Sequence, residues 1–227
     1  MWQLYKYHSL SKNHLNNLAR RKLWASHPTA FNDPFEFRLQ RTHHAKGLSE
    51  LRKLNPNHAN RSDAELISMG VEGFESYIQK MGVICFSEEP HHILLWSHYT
   101  GNHSGICLGF CGRDESETLK DAGIYPVKYE ESYPEVDFAQ VWHMEGLAKI
   151  LWTKNKVWSY EKEWRMVRIE GNELVDYPGK LNKIIFGLRT SEADQELVRS
   201  LLRDDDDVEF FHVVQDDKRY KLHVRAI

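Results

Sequence analysis

Glu161 and Glu163 stand two residues apart in the ten-residue stretch WSYEKEWRMV, Trp158 to Val167, with Arg165 two further on. The pattern predicts a strand whose side chains alternate between faces. Tyr160, Lys162, Trp164 and Met166 then share one face, and Glu161, Glu163 and Arg165 the other. Carboxylates at i and i+2 of a strand lie ~7 Å apart, and they repel unless a cation or a substrate sits between them. Close acids push their pKa values apart, and a neighbouring arginine lowers one of them. Glu163 is the candidate catalytic carboxylate, with Glu161 and Arg165 setting its field. An edge strand with a solvated charged face would show the same residues.

Three further clusters carry polar chemistry. FNDPFEF, Phe31 to Phe37, holds Asn32 and Asp33 in an Asx-type turn before a proline, and places the acid Glu36 between two phenylalanines. WSHYTGNHSG, Trp96 to Gly105, brings Trp96, His98, Tyr99 and His103 into eight residues at a helix end and turn. The five-residue interval between its histidines is not the HExxH spacing of a zinc protease, so no metal site is assigned. The third cluster is the strand end His8-Ser9 together with Cys85-Phe86-Ser87. The acidic run Asp204–Asp207 lacks the alternating ligands and central glycine of an EF-hand and reads as a solvated turn.

The elements that must position these residues follow from periodicity and punctuation. Strands are predicted over 4–9, 23–26, 83–86, 106–110, 125–129, 158–167, 183–186, 208–214 and 220–224, the last two as a hairpin. Helices are predicted from Ser9 or Ser11 to Arg21, over 63–80 behind the capping box SDAE, over 90–99 between Pro90 and Gly101, over 136–155 and over 191–202. Strands cluster without βαβ alternation, which predicts an α+β fold. The expected architecture is a single domain, residues 1–227. It has a central, mostly antiparallel sheet, continuous or split, flanking helices and a helical insertion at about 40–80.

Composition narrows the class. Hydrophobic residues at 41% and charged residues at 28% place the chain among folded globular proteins. A net charge of −3 gives no general attraction to nucleic acid or anionic membrane. No apolar run approaches the ~18 residues of a membrane span, and the N-terminus shows no signal-peptide pattern. Three cysteines without a CxxC pair argue against a disulfide framework and for a reducing, cytoplasmic setting.

LYKYHSL, LWASHPTAFNDPFE, GVICFSE, LLWSHYTGNHSGICLGF and YEKEWRMV, in this order and spacing, resemble the bacterial family of unknown function labelled DUF2971, over roughly residues 4 to 190. A more distant resemblance is to ADP-ribosyltransferases, which carry a first-strand Arg or His, a middle-strand Ser and a late Glu-x-Glu. It implies NAD as substrate, held by His8 at the phosphates or ribose. Ser87 would support the nicotinamide pocket, Glu163 would bind the nicotinamide ribose, and Glu161 would orient an acceptor whose identity is open. An enzyme of this kind would serve as a toxin or defence effector. Two other readings stand beside it. One is a metal-assisted hydrolase or nuclease built on Glu36, His98, His103 and Glu163; the other is a non-catalytic module with a ligand pocket at NDPFE and WSHY. Asn32, Asp33, Glu36, Trp96, Tyr99, His103 and Arg165 complete the expected ligand-contacting set. Both enzyme readings require Glu36, His98 and Glu163 to face one pocket.

Overall fold

The computed structural model describes residues 1–40, 45–112, 117–135, 144–205 and 207–227. In chain order its strands are β1 (Trp2–His8), β2 (Lys22–Ala25), β3 (Gly82–Ser87), β4 (Ile106–Gly112), β5 (Ile124–Pro126), β6 (Lys128–Glu130), β7 (Thr153–Asn155), β8 (Glu163–Arg168), β9 (Glu173–Asp176), β10 (Lys180–Phe186), β11 (Glu209–Gln215) and β12 (Leu222–Ala226). The helices are α1 (Lys12–Ala19), α2 (Ala45–Leu54), α3 (Asp63–Lys80), α4 (Ile93–Tyr99), α5 (Glu117–Asp121), α6 (Met144–Leu151) and α7 (Glu192–Leu201).

Eight strands form one sheet in the order β12-β11-β10-β4-β1-β3-β8-β5, with β2-β9 and β6-β7 as small satellite pairs. Every neighbouring pair in the large sheet is antiparallel except β10 and β11. The α+β class is therefore observed. β1 pairs with β4 along its whole length, from Trp2–Gly112 to His8–Ile106, yet meets β3 at one position, Tyr5–Ser87. The sheet is continuous in order and nearly parted at this seam.

Alternation in the strands decides the core. Ile106, Leu108 and Phe110 share one face and pack with Leu4, Ile84, Phe86, Met166 and Ile184 beneath Leu18 of α1 and Val198 of α7. The other face carries two separate clusters. Trp96 of α4 packs with Tyr5, Cys107, Ile185 and Val213, whereas Phe74 and Ile78 of α3 and Leu147, Ile150 and Leu151 of α6 pack on Val83 and Phe37. α3 begins as its sequence requires: Ser62 accepts from the backbone of Glu65 while the Glu65 carboxylate accepts from Ser62 N.

Several elements differ from expectation. The 158–167 strand is a 3-10 turn over Lys156–Glu161, a left-handed Lys162 (φ 43°) and then β8. The 125–129 strand divides at Val127: β5 pairs with β8, while β6 pairs in parallel with β7. Pro126 cannot donate to a continuing ladder. The expected 136–155 helix ends at Leu151 and its last residues, Thr153–Asn155, form β7; positions 136–143 lie outside the described residues. α4 starts at Ile93 rather than Pro90 because its first backbone bond runs from Trp96 N to His92 O. The 40–80 insertion carries a second helix, α2, whose residues Leu48 and Leu51 meet Leu66, Ile67 and Val71 of α3.

Phe110 is fully buried between the rings of Phe86, at 6.0 Å, and Tyr177, at 4.9 Å. Phe110→Ala is expected to lower the unfolding free energy by about 3–5 kcal/mol, read as a reduced urea midpoint with unchanged slope.

Candidate functional site

The acids of the C-terminal motif meet a cation from another part of the chain. Lys154 sits mid-strand in β7, and its Nζ lies 2.6 Å from Glu161 Oε2, 2.8 Å from Glu163 Oε2 and 3.1 Å from Glu36 Oε1. The left-handed Lys162 makes this possible. It turns the chain between the 3-10 turn and β8, so that Glu161 and Glu163 converge on one point.

Arg165 lies behind this group, fully buried. Its Nε donates to Glu163 Oε1 at 2.6 Å, Nη2 to Glu36 Oε2 at 2.7 Å, and Nη1 to the Leu151 carbonyl at 2.9 Å. Its guanidinium stacks 4.9 Å from the Phe37 ring. Three buried carboxylates against two buried cations leave one formal negative charge when all are ionised.

The remaining partners fix orientation. Tyr99 donates to Glu161 Oε1 at 2.8 Å, and the Glu163 backbone N–H donates to the Tyr129 oxygen at 2.8 Å. Ser87 lies directly opposite Glu163 across β3 and β8; its hydroxyl donates to the Glu161 carbonyl and accepts from Glu89 N. In the FNDPFEF loop, Asp33 accepts from Phe35 N at 2.8 Å as an Asx turn and from the Trp158 indole at 2.7 Å, which ties the loop to the 3-10 turn.

Burial alone would raise the Glu163 pKa; Arg165 and then Lys154 outweigh it and hold the acid down at about 2. Glu161, also buried but without the arginine, is pushed above the usual carboxylate range, against the pull of Lys154. One cluster thus keeps a fixed anion beside an acid able to exchange a proton. Lys154 is driven the other way: burial opposes its charge, and the fields of Glu163, Glu36 and Glu161 raise its pKa.

A cavity of about 330 Å³ opens over this group, at the seam between β1 and β3. Glu36, His98 and Glu163 line it together, as do Asn32, Ser87, Tyr99, Glu161 and Lys154. Trp24, Phe31, Val83 and Phe86 add apolar walls. The other expected residues fall elsewhere. His8 packs against His14, ring centroids 4.6 Å apart, in a small hollow that shares only Trp24 with the cavity. Burial holds it neutral, its pKa well below 6.5. Trp96 is wholly buried, its indole bonded to the Pro90 carbonyl. His103 occupies a left-handed turn (φ 70°) and receives the Arg189 N–H on its carbonyl, away from the cavity. Arg165 supports the cavity from behind, and Asp33 lines a neighbouring hollow that shares Glu36 and Lys154.

Sequence reasoning missed Lys154, Tyr129, Lys6 and Tyr7. The repelling acids were the signal for a cation, but Lys154 was placed at a helix end, where it would not face them. Among the described residues, no group of three or more His, Cys, Asp or Glu side chains is arranged to hold a metal ion; the carboxylates point at an ammonium instead. No helix among the described residues is long and apolar enough to cross a membrane.

The family model described as Protein of unknown function (DUF2971) matches residues 95–166, a span that includes most of α4, Lys154 and both acids of the motif. No curated protein and no solved structure matches the chain.

Removing the shared cation leaves three buried acids facing one another. Lys154→Met is expected to cost about 3–5 kcal/mol of stability, measured by urea denaturation at pH 7. A second outcome concerns acid. Unfolded, Glu163 titrates near 4.5; folded, near 2. Its contribution is therefore complete above about pH 5 and is lost as pH falls toward 2. Glu161, with a raised folded pKa, has the opposite sign. Stability of the wild type should fall steeply between pH 4.5 and 2, and that of Glu163→Gln should be flatter over the same interval.

Proposed function

We propose that this DUF2971-matching chain is an NAD-using enzyme resembling ADP-ribosyltransferases, with Glu163 and Glu161 as its working acids. One observation carries the reading. Ser87 and Glu163 face each other on adjacent strands and line the same cavity as Glu161, Glu36 and His98 at the near-parted seam between β1 and β3. The resemblance implies a cleft between sheet halves with His8, Ser87 and Glu163 on its walls, and the serine and the second acid of Glu-x-Glu support it while His8 does not.

The chemistry asks little beyond these residues. Breaking the bond between nicotinamide and ribose leaves positive charge on the sugar ring, and a fixed carboxylate stabilises it best when it cannot reorient or take a proton. Arg165 and Lys154 keep Glu163 in that state. Glu161, with its raised pKa and a lone pair shared with Tyr99, suits the proton of an incoming acceptor. A volume of about 330 Å³ is at the small end for ligand pockets, roughly 300–1,000 Å³, and suits the nicotinamide–ribose half of a dinucleotide.

His8, expected on this cleft from the first strand, lies outside the cavity and takes no part in it. Ser87, with its hydroxyl spent on Glu161 and Glu89, holds the acid turn against β3.

Incubation with NAD labelled in its ADP-ribose portion, together with a mixture of acceptor proteins, should release nicotinamide and transfer label. Glu163→Gln should reduce the rate about 10²–10³-fold, with circular dichroism showing the fold intact. No release of nicotinamide by the wild type, or equal rates for a folded Glu163→Gln, would sink the reading.

A further inference from the structure

Two lysines line the cavity, and they are in opposite electrostatic conditions. Lys154 has three carboxylates within 3.1 Å. Lys6, from β1, is partly buried, and its one side-chain hydrogen bond among the described residues goes from Nζ to the Cys85 carbonyl at 3.2 Å. It makes no ion pair among the described residues, and the Phe86 ring lies 5.9 Å from its ammonium. An ammonium has three donors, so two remain.

An ammonium that has lost water and touches no carboxylate is costly to hold, because only the more distant charge of the acidic cluster offsets the loss. The surroundings agree: burial lowers the Lys6 pKa, and the nearby Cys85, Glu163 and Cys107 only partly oppose it. Within the cavity the carboxylates are already committed to Lys154 and Arg165, so none of them is free to swing over to Lys6.

We propose that Lys6 is the anion-binding residue of the cavity and holds a phosphate group of the ligand. The cavity then has two poles. Glu161 and Glu163 face a sugar or cationic group at one end, and Lys6 neutralises a phosphate on the β1 wall. The ligand class is a phosphorylated nucleoside or a dinucleotide, not a free sugar, base or amine. Identifying the ligand as a nucleotide rests on the transfer reading, whereas the need of Lys6 for an anion does not.

Inorganic pyrophosphate is the probe, with thermal unfolding at fixed ionic strength as the readout. Wild-type protein should gain a few degrees in Tm at millimolar pyrophosphate, Lys6→Met should gain none, and Lys6→Arg should regain part of the shift. Without probe, Lys6→Met should melt at or above the wild-type temperature, since an unpaired buried charge has been removed. Equal protection of wild type and Lys6→Met, or protection of neither, overturns the assignment. The two proposals fail separately. Pyrophosphate protection through Lys6 without any nicotinamide release removes the transfer reading alone. Nicotinamide release by Lys6→Met with an unchanged KM for NAD removes the role of Lys6 alone.

Discussion

The ammonium of Lys154 is the interaction on which the rest of this site depends. Three buried carboxylates could not share so small a volume without it, and each comes from a different structural context: Glu36 from the FNDPFEF loop, Glu161 from a 3-10 turn, Glu163 from the start of β8. Desolvated charges are tolerated only when paired and hydrogen-bonded, and here the pairing has a structural consequence. The loop, the turn and β7 are drawn to one point, and that point becomes the floor of the cavity.

Arg165 divides the acids into two kinds. It holds Glu163 and Glu36 but does not touch Glu161, which is bonded to Tyr99 instead. The same field therefore produces a fixed anion and a proton-exchanging acid within a few ångströms. This division needs the left-handed Lys162, which costs backbone energy in a residue with a side chain. An uninterrupted strand would have set both acids side by side along β8, with the same outlook.

The strands were legible where side-chain alternation met a buried face. Ile106, Leu108 and Phe110 alternate cleanly with residues of the opposite face, and the capping box at Ser62–Glu65 marks the start of α3 unambiguously. Legibility ended where the pairing partner is distant. Thr153–Asn155 follows a helix and looks like its continuation, yet it extends because Lys128–Glu130 lies alongside. Trp158–Glu161 alternates as a strand does, but no strand among the described residues pairs with it, and it folds as a 3-10 turn. His8 and His103 illustrate the same limit for sites: their residue type suggests ligand contact, while the position of their backbone sends one to a hollow beside His14 and the other to a turn beside Arg189.

The amino-acid sequence by itself determined the α+β class, most of the sheet, the DUF2971 likeness and the presence of a charged anomaly at Glu161-x-Glu163 that required a counter-ion. Those properties are local or periodic, and a linear pattern records them. Only the tertiary structure decided which cation answers the anomaly, that Glu36 and His98 share its cavity, that His8 does not, and that Lys6 stands there with no carboxylate paired to it among the described residues. Electrostatic pairing depends on distance in space and on loss of water, and neither quantity is written in the spacing of residues along the chain.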